Sequence, residues 1–163
     1  MNRNIVVDIA TPDDIEALKA LTKQLVEDLD QEFEPKRFDW GIRRRLYDPL
    51  QRHGILIAKD SEKNNEVIGM MVAELRIDPY GSSEGYIKQV FLKSEYRGRG
   101  LGSVLLHKAL EHLKKVKVQK VKVNLKSRAT KAGELYRKTH FKKVYEVLEL
   151  DLDEYDVFED EHK

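Results

Sequence analysis

A glycine-rich segment with two arginines is the part of this chain best suited to bind an anion. It runs Arg97-Gly98-Arg99-Gly100-Leu101-Gly102. Glycines at alternate positions allow positive φ angles and a close approach of the main chain to a ligand. Arginine side chains match the geometry of a phosphate group. These residue types therefore predict a turn that binds phosphate or pyrophosphate.

The segments on either side of this turn have the periodicities of a strand and a helix. The residues before it alternate in polarity as far as Leu92, and those after it place apolar residues at helical spacing as far as Val116. The first N–H groups of a helix have no acceptor within the helix and lie at the positive end of its dipole. The amides from Arg97 through Ser103 are therefore predicted to bind a pyrophosphate.

Two other phosphate-binding motifs do not match. No Gly-x-x-x-x-Gly-Lys-Ser/Thr occurs, which excludes the P-loop of nucleoside triphosphatases. A dinucleotide-binding turn needs Gly-x-Gly-x-x-Gly after the first strand of a βαβ unit, whereas the spacing here is Gly-x-Gly-x-Gly, late in the chain. On spacing alone, an ordinary glycine-rich turn between a strand and a helix is an equal alternative.

Residues 90–102 closely resemble motif A of the GNAT acyltransferase superfamily. That motif is Arg/Gln-x-x-Gly-x-Gly/Ala, and its fixed residues fall here on Arg97, Gly100 and Gly102. The resemblance covers roughly residues 5–152. Further stretches resemble the family in its own order, namely Ala10–Asp14 followed by Leu18 and Leu21, Val67–Gly69, and Ala132–Lys138, which matches the Ala-x-x-Leu-Tyr-x-Lys of motif B.

The resemblance implies that the turn binds coenzyme A, with acetyl-CoA as the default donor. In this family the strand before motif A splays from the next strand, which is Lys120–Lys126 here, and the pantetheine arm bonds to the exposed main chain. Paired strands have no spare N–H or C=O groups to offer such a ligand. The implied donor-binding residues are Phe91, Leu92, Arg97, Gly98, Arg99, Gly100, Leu101, Gly102 and Ser103.

The same resemblance gives Tyr136 the family's tyrosine position, where a phenol protonates or hydrogen-bonds the departing thiolate. On spacing alone, a half-buried aromatic residue on a helix is the simpler interpretation of Tyr136. The chain has no cysteine, so a cysteinyl acyl-enzyme is excluded. Direct transfer in a ternary complex is therefore predicted.

An amine acceptor with a pKa near ~10.4 is protonated at neutral pH and needs a base. Glu84 begins the strand that leads to the turn, and we select it as the candidate base. A solvated carboxylate after a turn is the other interpretation of Glu84. Glu74, Gln89 (as a residue that positions water) and Glu32 or Glu34 are alternatives.

Two residues depart from motif B. The motif usually has asparagine three residues before the alanine matched by Ala132, whereas this chain has Ala129. It usually ends in Gly-Phe, whereas this chain has His140-Phe141. The first change removes a polar contact expected near the donor. The second is compatible with a left-handed turn, which histidine adopts more readily than most residues.

The acceptor is predicted from the junction of the first two helices, which walls the acceptor site in this family. Five carboxylates and one aromatic residue lie between Glu27 and Glu34. They suit a cationic amine such as a polyamine, an aminoglycoside-like amine or a lysine side chain. Arg43–Arg45 in the second helix would instead attract an anionic substrate. A solvated helix end is the other interpretation of the junction.

Composition limits the classes of partner. The chain has 163 residues, 36% of them charged, and a net charge of +1, so no global field selects a polyanion such as DNA. The lysines of residues 114–122 lack interleaved aromatics, and we interpret them as a solvated face. The chain has no cysteine, and the spacing of its histidines does not match that of metal ligands, so we expect no metal site. With no apolar run near the ~20 residues of a membrane span and no signal peptide, we expect a soluble cytoplasmic protein. A homodimer is left open.

The element order β-α-α-β-β-β-α-β-α-β predicts an α/β (α+β) fold with a mixed, mostly antiparallel sheet and helices on both faces, as the resemblance also implies. Residues 1–152 are expected to form a single domain, followed by an acidic tail, 153–163. The predicted strands are Ile5–Ile9, Ile55–Lys59, Glu66–Asp78, Glu84–Leu92, Lys120–Lys126 and Phe141–Leu152, and the predicted helices begin at Pro12, Lys36, the glycine turn and Thr130.

The residues and the resemblance together predict an acetyl-CoA-dependent N-acetyltransferase that acts on a primary amine. The alternative is a non-catalytic module of the same fold that binds CoA or a protein partner. Thiol release in the presence of amines separates the two classes.

Overall fold

The computed structural model describes residues 3–125 and 130–155. The chain divides into two compact units, Met1–Ala129 and Thr130–Lys163. The first unit contains β1 (Ile5–Ile9), α1 (Ile15–Asp28), α2 (Pro35–Leu46), β2 (Ile55–Asp60), β3 (Glu66–Ile77), β4 (Ser83–Leu92), α3 (Leu101–Lys115) and β5 (Lys120–Val123), and the second contains α4 (Thr130–Lys138).

The five strands form one sheet in the order β1-β2-β3-β4-β5, antiparallel except for the parallel pair β4–β5. Side chains alternate between the two faces of a strand, so Met70 and Val72 of β3 share a face. Both belong to the apolar cluster that α1 and α2 cover. Gly85 lies on the opposite face, where a Cβ atom would meet Leu113 of α3. The mixed, mostly antiparallel sheet with helices on both faces is therefore confirmed.

The beginning of α1 and the end of α2 follow from local sequence. Thr11 and Asp14 form a capping box around a 3₁₀ turn, so α1 itself begins at Ile15 rather than at Pro12. The apolar spacing of Phe38, Ile42, Leu46 and Leu50 predicts a second helix that reaches Leu50, whereas α2 ends at Leu46. Pro49 disfavours helical geometry at the residue before it, which is the physical reason for this earlier end.

The predicted final strand, Phe141–Leu152, is wrong. Residues 141–151 form no strand, and residues 152–155 form a helical turn. Val144 is 72% exposed and Val147 is 67% exposed, so neither side of this segment is buried. Residues that favour strands form one only where a neighbouring strand takes the main-chain groups and one face is covered. Among the described residues, this segment has no such neighbour.

Gly54 is required by the close approach of β2 to β3, because a Cβ atom there would overlap the main-chain oxygen of Ala73. We expect Gly54→Ala to lower the free energy of unfolding by about 1–3 kcal/mol. Gly41 provides the matched control, since it lies inside α2 with nothing within 4 Å of the position of a Cβ atom. Gly41→Ala should raise stability by roughly 0.5–1 kcal/mol. Denaturant unfolding measures both, and equal effects at the two positions would contradict the assigned contact.

In the part of the chain that the structure describes, no helix has both the length and the apolar character needed to cross a membrane.

Candidate functional site

The glycine turn presents unpaired amides at the start of α3. Gly98 and Gly100 have φ angles of +76° and +77°, the left-handed region that favours glycine, and no protein atom lies within 4 Å of where their Cβ atoms would be. The bond from the Val104 N–H to the Gly100 oxygen, 3.2 Å long, begins the helix. The N–H groups of Leu101 and Ser103 therefore precede the first helical bond and have no acceptor within α3. With Gly102 between them, they form a cluster of donors suited to an anion.

A buried hydrogen bond fastens this turn to the sheet. Tyr96 is 4% exposed and its hydroxyl donates to Asp60 Oδ2 over 2.6 Å. Asp60 is 3% exposed, and its Oδ1 accepts bonds from Asn4 Nδ2 and from the Glu62 N–H. The hydrogen bond from Tyr96 is the main cause of the lowered pKa of Asp60. Asp60 is therefore ionised at neutral pH and holds the residue immediately before the phosphate turn.

Sequence reasoning missed this pair. Its only local signal is that an aspartate directly follows the apolar strand Ile55–Lys59, where an acid could cap the next turn. The partner Tyr96 is 36 residues away and cannot be identified without the fold.

The side chains of the two arginines in the turn contact neighbouring residues of the protein. Arg97 Nε donates to the Leu92 oxygen over 2.9 Å, and its guanidinium lies 5.4 Å from the Phe91 ring centroid. Arg97 Nη2 is also 3.8 Å from Asp28 at the end of α1. The Arg99 guanidinium lies 5.1 Å from the ring centroid of Tyr96. Arg97 thus connects the turn to β4, and both arginines add positive charge beside the amide cluster.

Among the described residues, the end of β4 nearest the turn has a free edge. Pairing with β5 runs from Glu84–Lys120 to Ile87–Val123, and no described residue of β5 pairs with residues 88–92. Residues 89–92 pair with β3, which lies along the opposite edge of β4. Alternate residues of an antiparallel ladder direct their main-chain groups to opposite edges, and the Lys93 N–H bonds to the Ile68 oxygen, so the groups of Phe91 face β3 and those of Leu92 face the free edge. The Leu92 oxygen accepts from Arg97 Nε, which leaves the Leu92 N–H for a ligand, as the resemblance implies. The side chain of Phe91 is buried in the α1–α2 cluster, and its contact with the donor stays a prediction.

Glu84, the candidate base, is bound in an ion pair. Lys122 Nζ lies 2.8 Å from its Oε1, and the Tyr86 hydroxyl donates to its Oε2 over 3.1 Å. The bond from Lys122 is the main cause of the lowered pKa of Glu84. Four residues separate Glu84 from Lys88 along β4, so their Cα atoms are about 13 Å apart at the ~3.3 Å rise per residue of a strand.

The alternative bases lie in different environments. Glu74 is surrounded by Arg45, Arg76 and Lys88, with nitrogen–oxygen distances of 3.6, 3.1 and 3.8 Å. Gln89 is half-buried and pairs in register with Val72, on the face that α1 and α2 cover. The other two alternatives, Glu32 and Glu34, lie between α1 and α2.

The junction of α1 and α2 borders an open depression of about 630 Å³. Its carboxylates, including Glu27 and Glu32, alternate with Lys19 and Lys23, and Lys23 lies 3.9 Å from Glu27. The depression is therefore of mixed charge rather than purely acidic. A cationic acceptor at the junction stays a prediction.

Tyr136 lies in the second unit and is 5% exposed. Its ring meets that of Phe141 edge-on at a centroid distance of 5.3 Å. Burial raises the pKa of the Tyr136 hydroxyl, so the phenol keeps its proton at neutral pH. In the described part of the chain, this hydroxyl has no hydrogen-bond partner, although buried hydroxyls usually have one. Its predicted place beside a bound thioester stays a prediction.

Of the two departures from motif B, Ala129 lies outside the described residues, and His140 takes the conformation that glycine usually provides. His140 has a φ of +67°, and the Phe141 N–H bonds to the Tyr136 oxygen over 3.0 Å, which closes the end of α4. Lys117, with a φ of +63°, ends α3 in the same way. The change from glycine to histidine therefore leaves the turn itself intact.

Among residues 3–125 and 130–155, no group of three or more His, Cys, Asp or Glu side chains could hold a metal ion.

Comparison with known proteins gives a family and a fold. The model of the Acetyltransferase (GNAT) family matches residues 16–141, well over half of the chain. A predicted acetyltransferase with acetyl-CoA from Clostridium acetobutylicum is 21% identical, with a TM-score of 0.77 over 92% of this chain and 97% of that one. Ribosomal-protein-alanine N-acetyltransferase from Brucella melitensis biovar Abortus 2308 is 12% identical, with a TM-score of 0.73 over 91% and 99% of the two chains.

A transcriptional regulator from Bacillus halodurans C-125 is 21% identical, with a TM-score of 0.74 over 90% of this chain and 99% of that one. At these identities the solved structures show a shared fold. The comparison with curated proteins gave no match.

Proposed function

Since the chain belongs to the acetyltransferase (GNAT) family, we propose that it transfers an acetyl group from acetyl-CoA to a primary amine. The observation that carries this proposal is the cluster of unpaired amides at the glycine turn, next to the free edge of β4. When bound, acetyl-CoA supplies a thioester. The amine nitrogen bonds to the acetyl carbon, the C–S bond breaks with its electron pair left on sulfur, and the nitrogen loses a proton. The chain has no cysteine to form a cysteinyl acyl-enzyme.

The donor would be held by main-chain groups. The amides from Gly98 to Ser103 would take the pyrophosphate, and the pantetheine arm would lie beside Phe91 and Leu92, with the Leu92 N–H bonding to it. This is supported by the left-handed turn before the first helical bond of α3 and by the edge of β4 that no described residue of β5 pairs with. Residues 1–152 would act together as one domain.

Tyr136 would stabilise the departing thiolate. A raised pKa makes complete proton transfer from the phenol less favourable, since each pKa unit corresponds to about 1.4 kcal/mol. A hydrogen bond from the phenol to sulfur costs less and still offsets the developing charge. We therefore assign Tyr136 the role of a hydrogen-bond donor to the departing thiolate.

Glu84 is the proposed base, acting through water. Because its pKa lies below the ordinary value of 4.5, Glu84 is ionised throughout the pH range in which the amine titrates. Glu84→Gln should lower kcat/KM for an amine at neutral pH by about 10²-fold. The loss should shrink at high pH, where the amine is already neutral. Glu74→Gln is the control, since Glu74 has the same charge on the same face. A larger, pH-dependent loss in the control would give the role to Glu74 instead.

The function is tested by two measurements on the full chain. The first is the change in melting temperature with CoA, which stabilises a protein that binds it by RT ln(1 + [CoA]/Kd). The second is thiol release from acetyl-CoA with a panel of amines. We expect stabilisation and amine-dependent thiol release. Stabilisation by CoA without thiol release in the presence of any amine supports the non-catalytic module. No stabilisation at millimolar CoA contradicts both functions.

A further inference from the structure

Four basic side chains form a cluster on the sheet face that α1 and α2 cover, and we name it the basic patch. Three of them surround the Tyr86 ring, with the Arg76 guanidinium 4.1 Å, Lys88 Nζ 5.5 Å and Lys122 Nζ 5.8 Å from its centroid. The fourth, Arg45 of α2, joins them through Glu74. The patch is therefore built from α2, β3, β4 and β5.

The strand register places the patch on one face. Glu74 pairs with Tyr86 and Arg76 pairs with Glu84, while Lys122 pairs with Tyr86 across the parallel ladder. The register shifts between Val72 and Ala73, opposite Lys88. Such a bulge redirects a side chain that would otherwise alternate to the far face. Lys88 can thus lie beside Glu74, as its distance of 3.8 Å shows.

Positive charge exceeds negative charge in this patch. Among the described residues, Arg45, Arg76 and Lys88 share the carboxylate of Glu74, while Lys122 is paired with Glu84. Asp78 lies near enough to raise the pKa of Glu84, but its Oδ1 accepts the N–H groups of Tyr80 and Ser82 in the hairpin turn. Even with Asp78 counted beside Glu74, the three cations Arg45, Arg76 and Lys88 outnumber these two described carboxylates, whatever Lys122 contacts. Arg45 and Lys122 are half-buried, so solvent screens their charge less than that of an exposed lysine, whereas Arg76 and Lys88 are exposed and accessible to a ligand.

The patch lies where an acceptor would approach, given the proposed function. A donor bound at the glycine turn would run along the free edge of residues 88–92 of β4, away from the turn. Lys88 stands at the far end of that edge, and the rest of the patch continues along β4 toward Glu84. A group held by the patch would therefore be adjacent to the reacting end of the donor.

We propose that the basic patch binds an anionic group of the acceptor, so that the substrate is a primary amine that also carries a carboxylate or a phosphate. Arginine binds either anion in a bidentate manner, and Arg76 stands at the centre of the patch. The depression at the α1–α2 junction lacks this bias, because its lysines and carboxylates are mixed. The inference rests on the proposed function and replaces the cationic acceptor with an anionic one.

The test compares acceptors that differ in one anionic group. Two pairs differ in a carboxylate: 4-aminobutanoate with 4-aminobutanamide, and the peptide amides Ala-Glu-Ala and Ala-Gln-Ala. The third pair, phosphoethanolamine with ethanolamine, differs in a phosphate, so comparing it with the first two separates recognition of phosphate from recognition of carboxylate. We expect kcat/KM to favour the anionic member of at least one pair by about tenfold, which corresponds to about 1.4 kcal/mol. The preference should weaken as salt is raised. Equal rates within every pair would overturn the proposal and leave the acetyltransferase function intact.

A variant locates the preference. In the double variant Arg76→Gln/Lys88→Met, the ratio of kcat/KM for the anionic acceptor to kcat/KM for the neutral acceptor should fall to about one. The control is Lys115→Met, which removes an ion-paired lysine from α3 on the other side of the sheet. This control should keep the wild-type ratio. A ratio that survives in the double variant, or that is lost in the control, would contradict the assignment to the basic patch.

A binding measurement keeps the proposal independent of turnover. The amide products 4-acetamidobutanoate and 4-acetamidobutanamide differ only in charge, and their effects on the melting temperature can be measured with CoA present. The anionic product should stabilise the wild-type chain more than the neutral one, and the double variant should not distinguish them. If neither amine nor product discriminates while thiol release proceeds, only this inference fails. If thiol release is absent but the anionic product still stabilises, only the catalytic function fails.

Discussion

Gly100→Val should weaken coenzyme A binding at least about 100-fold, a loss of roughly 3 kcal/mol. Gly100 has a φ of +77°, which a β-branched residue does not adopt without strain, and its Cβ atom would project into the open space beside the amides of α3. The substitution therefore reorients the turn and fills the space that a pyrophosphate needs. Isothermal titration with CoA measures the change directly.

The matched control for this prediction is Gly81→Val. Gly81 has a φ of +87° at the tip of the hairpin between β3 and β4, and nothing lies within 4 Å of its Cβ position. Both variants should lose a similar amount of stability, on the order of 1–3 kcal/mol, because both force a left-handed residue. Only Gly100→Val should lose CoA binding. Similar affinities in the two variants would show that the glycine turn does not bind the donor.

The left-handed turn was predictable from the sequence because glycine is the one residue that adopts such angles freely. Alternate glycines between a strand pattern and a helix pattern predict the conformation that Gly98 and Gly100 show. The same holds for α1, where Ile15, Leu18 and Leu21 recur at helical spacing and are all buried. Local periodicity and backbone preference determine these features.

The contacts that support the site depend instead on which strands are neighbours. Tyr96 meets Asp60, and Glu84 meets Lys122, across 36 and 38 residues of sequence. The second pair exists because β4 and β5 run parallel, with Glu84 opposite Lys120. No local pattern specifies a register between strands joined by a helix. The basic patch could not be predicted from the sequence for the same reason.

The error in the final strand has the opposite cause. Residues 142–150 contain strand-forming residues such as Val144, Tyr145 and Val147, but they do not alternate, because apolar residues stand side by side. A strand is stabilised by its neighbours more than by its own preference. Composition therefore indicates that a segment could pair as a strand, not whether a neighbouring strand is present to pair with it.

Tyr136→Phe should lower kcat by about 10²–10⁴-fold while the affinity for acetyl-CoA changes little. The substitution keeps the ring that packs edge-on against Phe141 and removes only the hydroxyl. That hydroxyl is buried without a hydrogen-bond partner in the described part of the chain, so its loss should not reduce stability. Pre-steady-state measurement of thiol release separates the chemical step from product release.

Tyr80→Phe is the control for the chemistry, because Tyr80 is 94% exposed at the β3–β4 hairpin and its hydroxyl has no assigned role. It should turn over like the wild type. Unchanged turnover in Tyr136→Phe, measured where the chemical step limits the rate, would contradict the role of the phenol.

The leaving group distinguishes a proton donor from a residue that only shapes the site. A thiolate of low basicity departs without help, whereas the CoA thiolate, like an ordinary thiolate of pKa near ~8.5, benefits from a donor. The loss caused by Tyr136→Phe should therefore be large with acetyl-CoA and small with an acetyl thioester of an acidic aryl thiol. Because burial raises the pKa of Tyr136, the phenol stays protonated across the neutral range, and this difference should persist from pH 6 to pH 9. Equal losses with both donors would mean that the hydroxyl positions the substrate rather than stabilising the thiolate.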